Sequence, residues 1–198
     1  NYSIKTNNII DNSKIEIRCE ECGHRTLDDL FVISGNTITD VRYDLIGDIT
    51  IPREINGIEV KGIGQGAFKD CRNLRKITFP NTIINLDSSA FENCTSLENV
   101  ILSNKLTSIG NSAFKGCASL ESISIPNSVT HIDTSAFEGC SYLQSVRLPN
   151  SLIAIGSSAF KGCASLARIT IPNTVTNIDT SAFEGCSYLQ SVTLSTNL

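Results

Sequence analysis

The chain has 198 residues, a formal net charge of −4 and 18% charged residues. This length suffices for one domain, or for one domain with a small cap. The lack of a basic excess argues against nucleic-acid binding, and no apolar run is long enough to span a bilayer.

The segment 1–30 is polar and rich in asparagine, with one short alternating run, KIEIRC. Cys19 and Cys22 form a CxxC pair here in the context RCEECGH, with His24 close by. Three interpretations stay open: one half of a zinc site completed by another segment or chain, a disulfide, or two free surface thiols. Because a closed zinc site needs four ligands, the disulfide and the free thiols are favoured over the metal.

Residues 31–51 alternate apolar and polar side chains in places, and Gly35 and Asn36 mark a turn. This pattern predicts a β-hairpin that packs on the following coil as an N-terminal cap. Residues 48–68 look like a first repeat, although five extra residues separate Pro52 from its expected place at 57. We therefore predict a cap region over residues 1–47 and a repeat array over residues 48–198 whose first coil is wide and irregular.

Internal repetition dominates the chain from about Val60 onwards. The consensus LxxIxIPxxVxxIxxxAFxxCxx recurs without a gap, and almost every recurring position is apolar or small. A single coil of this length cannot bury its own apolar side, so stacked coils must share one core. The two most regular columns are Phe68, Phe91, Phe114, Phe137, Phe160 and Phe183, and Cys71, Cys94, Cys117, Cys140, Cys163 and Cys186.

Each unit divides into three predicted elements. LxxIxI alternates with period two, which predicts a short strand that the next proline ends. VxxI predicts a second, short extended or turning segment. AFxxC predicts a tight helical turn, because Ser89, Ser135 and Ser181 each precede a glutamate by three residues, the spacing of a capping box. Stacked coils would place parallel strands about 4.8 Å apart along one face.

A second period, twice as long, overlies the first. Segments 111–148 and 157–194 differ at only seven of 38 positions. The residue after each phenylalanine alternates between lysine and glutamate, which predicts a ladder of opposite charges between coils. A second position alternates as Gly64, Asp87, Gly110, Asp133, Gly156 and Asp179, and we interpret both alternations as the result of duplicating a two-repeat block.

Chemistry-bearing residues are scarce in the array. The repeat cysteines predict a buried, inert thiol ladder, with disulfides between neighbouring coils as the alternative. His131 occupies a variable position with no acid or nucleophile fixed around it, and no phosphate-binding glycine loop or GxSxG motif occurs. We therefore expect no enzymatic activity and no cofactor.

The repeat unit resembles the BspA-like leucine-rich repeats, above all in IPNSVTHIDTSAFEGCSYL (125–143) and LPNSLIAIGSSAFKGCASL (148–166). The resemblance covers roughly residues 48–198. It implies a leucine-rich-repeat solenoid: a β-rich, right-handed coil with its parallel sheet on the concave face and short helical turns or loops elsewhere. It also implies an extracellular or cell-surface protein that adheres to a protein or glycan, such as host matrix or another microbe.

The variable strand positions predict where a ligand would bind, because their side chains should point out from the concave face. These positions carry Arg75, Lys76, Thr78, Glu98, Asn99, Glu121, Ser122, Ser124, Gln144, Arg147, Arg168, Thr170, Gln190 and Thr193. Tyr142 and Tyr188 lie beside them, either as a stacking pair for a sugar or protein or, the favoured interpretation, packed sideways on neighbouring coils.

The leading functional hypothesis is a non-enzymatic protein-binding or adhesion module with its ligand on the concave face. The alternative is a structural spacer or self-association array without a ligand of its own. We expect the array to continue beyond Leu198, so self-association through the C-terminal end is included. A weaker alternative is a metal-binding regulator that uses Cys19 and Cys22.

Overall fold

A computed structural model of the protein describes residues 17–19, 23–25, 27–41 and 45–194. Strands β1 (Ile17–Cys19) and β2 (Gly23–Arg25) pair antiparallel, and a 3-10 helix follows over Leu27–Leu30. In the described part of the chain, no helix is long and apolar enough to cross a membrane.

A β-hairpin closes the N-terminal end of the array, as the sequence predicts. It consists of β3 (Phe31–Ser34) and β4 (Thr37–Val41), and Gly35 takes the left-handed φ of 58° in the turn. Phe31, which is only 2% exposed, packs its ring 6.2 Å from that of Phe68 in the first coil. The predicted N-terminal β-hairpin cap is therefore confirmed, but it spans residues 31–41 rather than 31–51, because residues 47–50 form a strand of the first coil.

The first coil contains β5 (Gly47–Thr50), β6 (Glu54–Ile55), β7 (Ile58–Glu59) and β8 (Gly62–Ile63). Strand β8 pairs parallel with β4 of the cap. Thr50 is in register with Thr78, a step five positions longer than the next one, from Thr78 to Ile101. The extra residues lie in an antiparallel hairpin of β6 and β7, which turns at Asn56 and Gly57 with φ of 51° and 78°. The predicted wide and irregular first coil is confirmed, and the hairpin explains its width.

The remaining coils alternate a longer strand with a two-residue strand. They are β9 (Leu74–Thr78), β10 (Asn85–Leu86), β11 (Asn99–Ile101), β12 (Ser108–Ile109), β13 (Ser122–Ser124), β14 (His131–Ile132), β15 (Ser145–Arg147), β16 (Ala154–Ile155), β17 (Arg168–Thr170), β18 (Asn177–Ile178) and β19 (Ser191–Thr193).

The longer strands form one parallel sheet, here called the long sheet, in the order β5-β9-β11-β13-β15-β17-β19. Consecutive strands from β9 onwards stay in register with a constant step of one repeat unit, as in the pairing of Val100 with Ile77. The two-residue strands stack in parallel on a second side of the coils, here called the short-strand face. The predicted solenoid of stacked coils with a parallel sheet is therefore confirmed.

The AFxxC segment forms the predicted tight turn, with i to i+3 bonds such as that from the Cys117 N–H to the Phe114 carbonyl at 3.1 Å, but it is not a capped helix. Ser89, Ser135 and Ser181 adopt positive φ values of 57°, 56° and 60°, which a residue capping a helix does not take. Backbone bonds also run between coils: the Phe114 N–H donates to the Ala136 carbonyl at 2.8 Å. These bonds extend the stacking order of the sheets through the turns.

The shared core runs the length of the array between the two strand faces. The phenylalanine rings stack on one another with centroid separations of 4.7 to 5.5 Å and interplanar angles of at most 17°. Every ring in this column from Phe68 to Phe160 is fully buried, whereas Phe183 in the last coil is only partly buried.

The lysines and glutamates after the phenylalanines form three separate ion pairs rather than one continuous ladder. Lys69 pairs with Glu92, Lys115 with Glu138 and Lys161 with Glu184, each with an N–O distance of 3.0 Å. The Lys69 ammonium holds the pKa of Glu92 below its usual value, and the Ser135 hydroxyl, followed by Lys115, does the same for Glu138.

These pairs predict a small dependence of stability on pH. Replacing Lys69 and Lys115 by alanine should lower the free energy of unfolding near pH 7 by a few tenths of a kcal/mol per pair, since the lysines are largely exposed. A carboxyl whose pKa is lowered by folding stabilises the protein above its unfolded pKa of about 4.5 and loses that effect in acid. Urea unfolding of both proteins near pH 7 and near pH 3 should therefore show the difference shrinking in acid, and a difference that grows in acid would contradict these pairs.

Candidate functional site

The solvent side of the long sheet collects the side chains that the sequence predicts for binding. In the strand Asn99–Ile101, Val100 is buried while both of its neighbours are exposed, and β13 repeats this pattern. We call the outer face the outward positions of the long-sheet strands β9, β11, β13, β15, β17 and β19, together with the residue that precedes each of these strands. All of the predicted binding residues lie on it, and all are exposed except Lys76 and Thr78, which are half-buried.

At the N-terminal end of the outer face, the predicted cation Arg75 already has anionic partners within the chain. Its guanidinium lies 3.2 Å from the Asp48 carboxylate and 3.9 Å from that of Glu98. Asp48 is also in register with Lys76 on the next strand. Positive charge in this half of the face is thus largely balanced locally.

At the C-terminal end, Arg147 and Arg168 have a different environment. Both are exposed, and among the described residues no carboxylate lies within ion-pair distance of either. Arg168 is in register with Ser145, which places it diagonally across from Arg147 on the neighbouring strand. Within the described residues, this half of the face therefore offers two guanidinium groups without a carboxylate partner, among small hydroxyl side chains.

Tyr142 and Tyr188 lie at the margin of this same region. Their side chains are 64% and 69% exposed, so the favoured prediction that they pack sideways on neighbouring coils is wrong. The backbone N–H of each donates at 3.1 Å to a carbonyl of the preceding coil, that of Ala118 or Ala164. The backbone at this margin is thus fixed, while the rings project into solvent.

The thiols of the cysteine column are not joined as disulfides between coils. Each thiol from Cys94 onwards donates a hydrogen bond to a phenylalanine carbonyl of the preceding coil, as Cys140 Sγ does to Phe114 at 3.2 Å. Burial raises the pKa of the Cys117 and Cys140 thiols. Because the thiolate is the reactive form, these groups are structural rather than chemical.

This burial predicts an order of thiol reactivity. In a Cys19→Ser, Cys22→Ser background, iodoacetamide should modify Cys186 first, because it is half-buried in the last coil, and should reach Cys117 and Cys140 only after unfolding. Peptide mapping by mass spectrometry after brief labelling of the folded protein measures this order. Equal labelling of all repeat cysteines in the folded state would contradict the buried ladder.

The CxxC pair and other polar clusters do not assemble a metal site in the part of the chain that is described. Cys19 ends β1, but Cys22 lies outside the described residues, so the zinc, disulfide and free-thiol interpretations stay open there. Within the described ranges, no group of three or more His, Cys, Asp or Glu side chains is arranged to hold a metal ion. His131, exposed on the short-strand face, contacts the Thr130 hydroxyl at 2.9 Å.

A shallow polar groove runs beside the short-strand face, lined among others by Gln65, Asp87, Ser108 and Asp133. Burial raises the pKa of Asp133, and the nearby His131 opposes that shift. The two carboxylates are two coils apart, roughly 10 Å at the usual strand spacing, so they do not share a proton or an ion.

Comparisons with known proteins agree with the coil geometry. The sequence profile of the BspA-type leucine-rich-repeat region matches residues 43–133 and 107–198, with six copies of the repeat. A comparison with curated protein sequences finds no match.

Solved structures share the fold. The T. pallidum leucine-rich-repeat protein TpLRR is 34% identical with a TM-score of 0.75, over 82% of this chain and 74% of that chain. A leucine-rich cell-surface protein from Faecalibacterium prausnitzii A2-165 is 28% identical with a TM-score of 0.58, over 95% of this chain and 54% of that one. The pneumococcal vaccine antigen PcpA, 23% identical with a TM-score of 0.62, matches 81% of this chain over 45% of its own length and shows the fold alone.

The chain thus spans about half the length of the F. prausnitzii and pneumococcal proteins. The repeat profile covers well over half of the sequence, and the stacked coils, parallel long sheet and near absence of helix are those of its structural neighbours. The chain therefore belongs to the BspA-type leucine-rich-repeat family.

Proposed function

We propose that the chain is a non-enzymatic protein-binding module of a bacterial cell-surface protein, and that its ligand lies across the outer face of the long sheet. This proposal rests on the way in which each coil divides its strand side chains between the core and the solvent. Inward side chains such as Val100 and Ile123 are committed to the core, whereas the outward positions vary from coil to coil and are exposed.

The regular geometry of the outer face suits adhesion. Six parallel strands, counted within the described residues, hold the outward side chains at fixed spacing, so little ordering is required when a partner binds. Stacked repeats generate extended surfaces of this kind in other solenoid proteins. The surface location is supported by the F. prausnitzii relative, which is itself named a cell-surface protein.

The test combines a binding screen with a variant in which bulky side chains block the outer face. The protein is screened against a panel of extracellular-matrix proteins by surface plasmon resonance. Any interaction found is then measured with Ser122→Trp, Ser145→Trp, which fills the middle of the outer face. The matched control is Asn85→Trp, His131→Trp, which places the same bulk on exposed positions of the short-strand face.

We expect the outer-face variant to lose binding and the control to keep it, with both melting like the parent protein. Binding that survives the outer-face variant and disappears in the control would overturn the proposal, because the ligand would then lie on the short-strand face.

A second candidate function is self-association, favoured by the last coil. Val192 and Leu194 are 40% and 61% exposed there, and Phe183, Cys186 and Leu189 are less buried than their counterparts in earlier coils. A second copy of the chain covering this end would bury the exposed apolar surface. Light scattering should then show association that rises with concentration and weakens in Val192→Thr, Leu194→Thr, whereas a monomer at all concentrations would exclude this candidate.

A further inference from the structure

We propose that the C-terminal half of the outer face binds an extended, acidic protein segment. In this arrangement Arg147 and Arg168 bind its carboxylates, and Tyr142 and Tyr188 flank it. This inference rests on the proposed function, which places a protein ligand on the outer face, and it adds the chemistry of that ligand.

The two arginines are distinguished by what they do not contact. Arg53, Arg72 and Arg75 each lie 3.1 to 3.2 Å from a carboxylate of this chain. Arg147 and Arg168 have no such partner among the described residues, although both are exposed. Guanidinium groups bind carboxylates strongly through paired hydrogen bonds, so two free ones side by side are suited to an anionic partner.

The spacing of the arginines fits a peptide. Arg168 is in register with Ser145, two residues before Arg147 on the adjacent strand. One strand spacing across and two residues along place their Cα atoms roughly 8 Å apart. Alternate side chains of an extended peptide point the same way and are about 6.6 Å apart. Two acidic residues at positions i and i+2 are therefore within reach of both guanidinium groups.

The scaffold does not require arginine at either position. The residues in register with Arg168 are Ser145 and Ser191, and Arg147 is flanked by Ser124 and Thr170. Segments 111–148 and 157–194 are nearly identical, and four of their seven differences, at 121, 122, 124 and 147, fall on the outer face. Two of those four differences produce the arginines, so the duplicated blocks differ in charge mainly where a ligand would bind.

The tyrosines add an apolar margin to the charged pair. Tyr142 and Tyr188 lie on the coils either side of the coil that carries Arg168, and their rings are mostly exposed. Ser165 occupies the corresponding place between them, and its N–H donates to the Ser141 carbonyl at 3.1 Å, which keeps the coils at strand spacing. The rings thus stand roughly 10 Å apart over small residues. Exposed tyrosine beside arginine is the composition of protein-interface anchors.

Charge on the rest of the molecule favours a peptide over a densely sulfated glycan. Glu98 and Glu121 lie on the same outer face, and the chain carries a net charge of −4. A polyanion that runs along the sheet would meet both carboxylates. A segment with two acidic residues contacts the arginines alone and leaves its backbone to the hydroxyl groups of Ser145 and Thr170.

The test uses defined probes and the whole chain. The binding probe is a fluorescent decapeptide of serine and threonine that carries two glutamates at positions i and i+2, and the neutral control carries glutamine at both positions. The test variant is Arg147→Thr, Arg168→Ser, which installs the residues found at equivalent positions of other coils. The control variant is Arg53→Gln, Arg72→Ser, which removes the same charge from arginines that are already ion-paired and lie outside the outer face.

We expect the acidic peptide to bind the parent protein and the control variant alike, and the neutral peptide to bind neither. The arginine variant should weaken binding by roughly twofold to fivefold for each arginine lost, the size expected when an exposed ion pair is removed. Binding should also fall with added salt, because the contacts are exposed. Tyr142→Ser, Tyr188→Ser should weaken it further, since serine occupies that position in the intervening coil.

Unchanged peptide binding in Arg147→Thr, Arg168→Ser would overturn the inference, as would equal loss in the charge-matched control. Tighter, arginine-dependent binding of a heparin-derived hexasaccharide would overturn the choice of a peptide. If a matrix protein no longer binds Ser122→Trp, Ser145→Trp but binds Arg147→Thr, Arg168→Ser normally, the proposed function stands and this inference fails. Circular dichroism of each variant confirms that the coils remain folded.

Discussion

Replacing Phe137 with alanine is expected to lower the free energy of unfolding by about 3–5 kcal/mol, the cost typical of truncating a buried phenylalanine. The Phe137 ring is fully buried and stacks on both neighbours, at centroid distances of 5.4 Å to Phe114 and 5.3 Å to Phe160. Removing it opens a cavity in the middle of the stack and separates the two halves of the core.

The same substitution at Phe183 is the matched control, because this ring is partly exposed at the end of the column and stacks at 5.5 Å on Phe160. We expect it to cost clearly less than Phe137→Ala. Chemical denaturation monitored by circular dichroism measures both. Equal losses at the two positions would show that the phenylalanines do not form one graded core.

Adding a single methyl group at Gly110 or Gly156 should be almost as damaging, lowering stability by about 1–3 kcal/mol, the usual cost of overpacking. A Cβ at Gly110 would lie 2.7 Å from the Leu86 carbonyl oxygen and 2.9 Å from the Asp87 carbonyl carbon. At Gly156 it would lie 2.8 Å from backbone atoms of Asp133 and Thr134. Backbone atoms cannot move away as a flexible side chain can, so the two coils would be pushed apart.

The chain supplies the control for this experiment, because the same column alternates with aspartate. Asp87→Ala exchanges one exposed side chain for another at the equivalent position and should change stability by less than about 0.5 kcal/mol. Thermal unfolding of Gly110→Ala and Asp87→Ala against the parent protein measures the contrast. Equal stability of the two variants would refute the close backbone approach.

This contact revises the interpretation of the longer, two-coil period. The alternation of glycine and aspartate was predicted to be a trace of duplication. In the structure, Gly110 and Gly156 each lie against the backbone of the preceding coil, which carries aspartate at the equivalent position. The Gly110 N–H donates to the Leu86 carbonyl at 3.1 Å. The alternation therefore also has a steric role, which spacing along the sequence does not reveal.

The solenoid itself was predictable because repetition leaves few alternatives. A column such as Phe68 to Phe183, recurring once in every repeat unit, requires stacked coils, and the alternating strand requires one buried side. The N-terminal cap and the wide first coil followed from local patterns. The hairpin at Asn56 and Gly57 was missed, although Asn-Gly between short alternating runs is a strong hairpin signal.

Other features depended on contacts between coils. The AFxxC segment matched a capping box by spacing, but its backbone bonds both within its own turn and to the next coil, and Ser135 takes a positive φ. The exposure of Tyr142 and Tyr188 is likewise a property of the folded coils that the repeat pattern did not predict.

Within the outer face, the sequence predicted which positions face solvent but not which arginines have a carboxylate partner among the described residues. Arg75 and Arg168 occupy neighbouring positions of the repeat, since the counterpart of Arg168 in β9 is Lys76. Only the pairing of β5 with β9, in which Thr50 lies opposite Thr78, brings Asp48 beside Arg75. The longer step from β5 to β9 arises from the inserted hairpin. The local charge balance at this end of the outer face therefore depends on the irregular first coil.

The central claim, that the outer face of the long sheet carries the ligand, is tested most directly by mapping amide chemical shifts. Solution NMR of the labelled chain is recorded with and without a captured partner or the acidic peptide. The account predicts shifts concentrated in β13, β15 and β17, strongest near Arg147 and Arg168. Shifts concentrated instead in the short-strand face, in β14, β16 and β18, would contradict it.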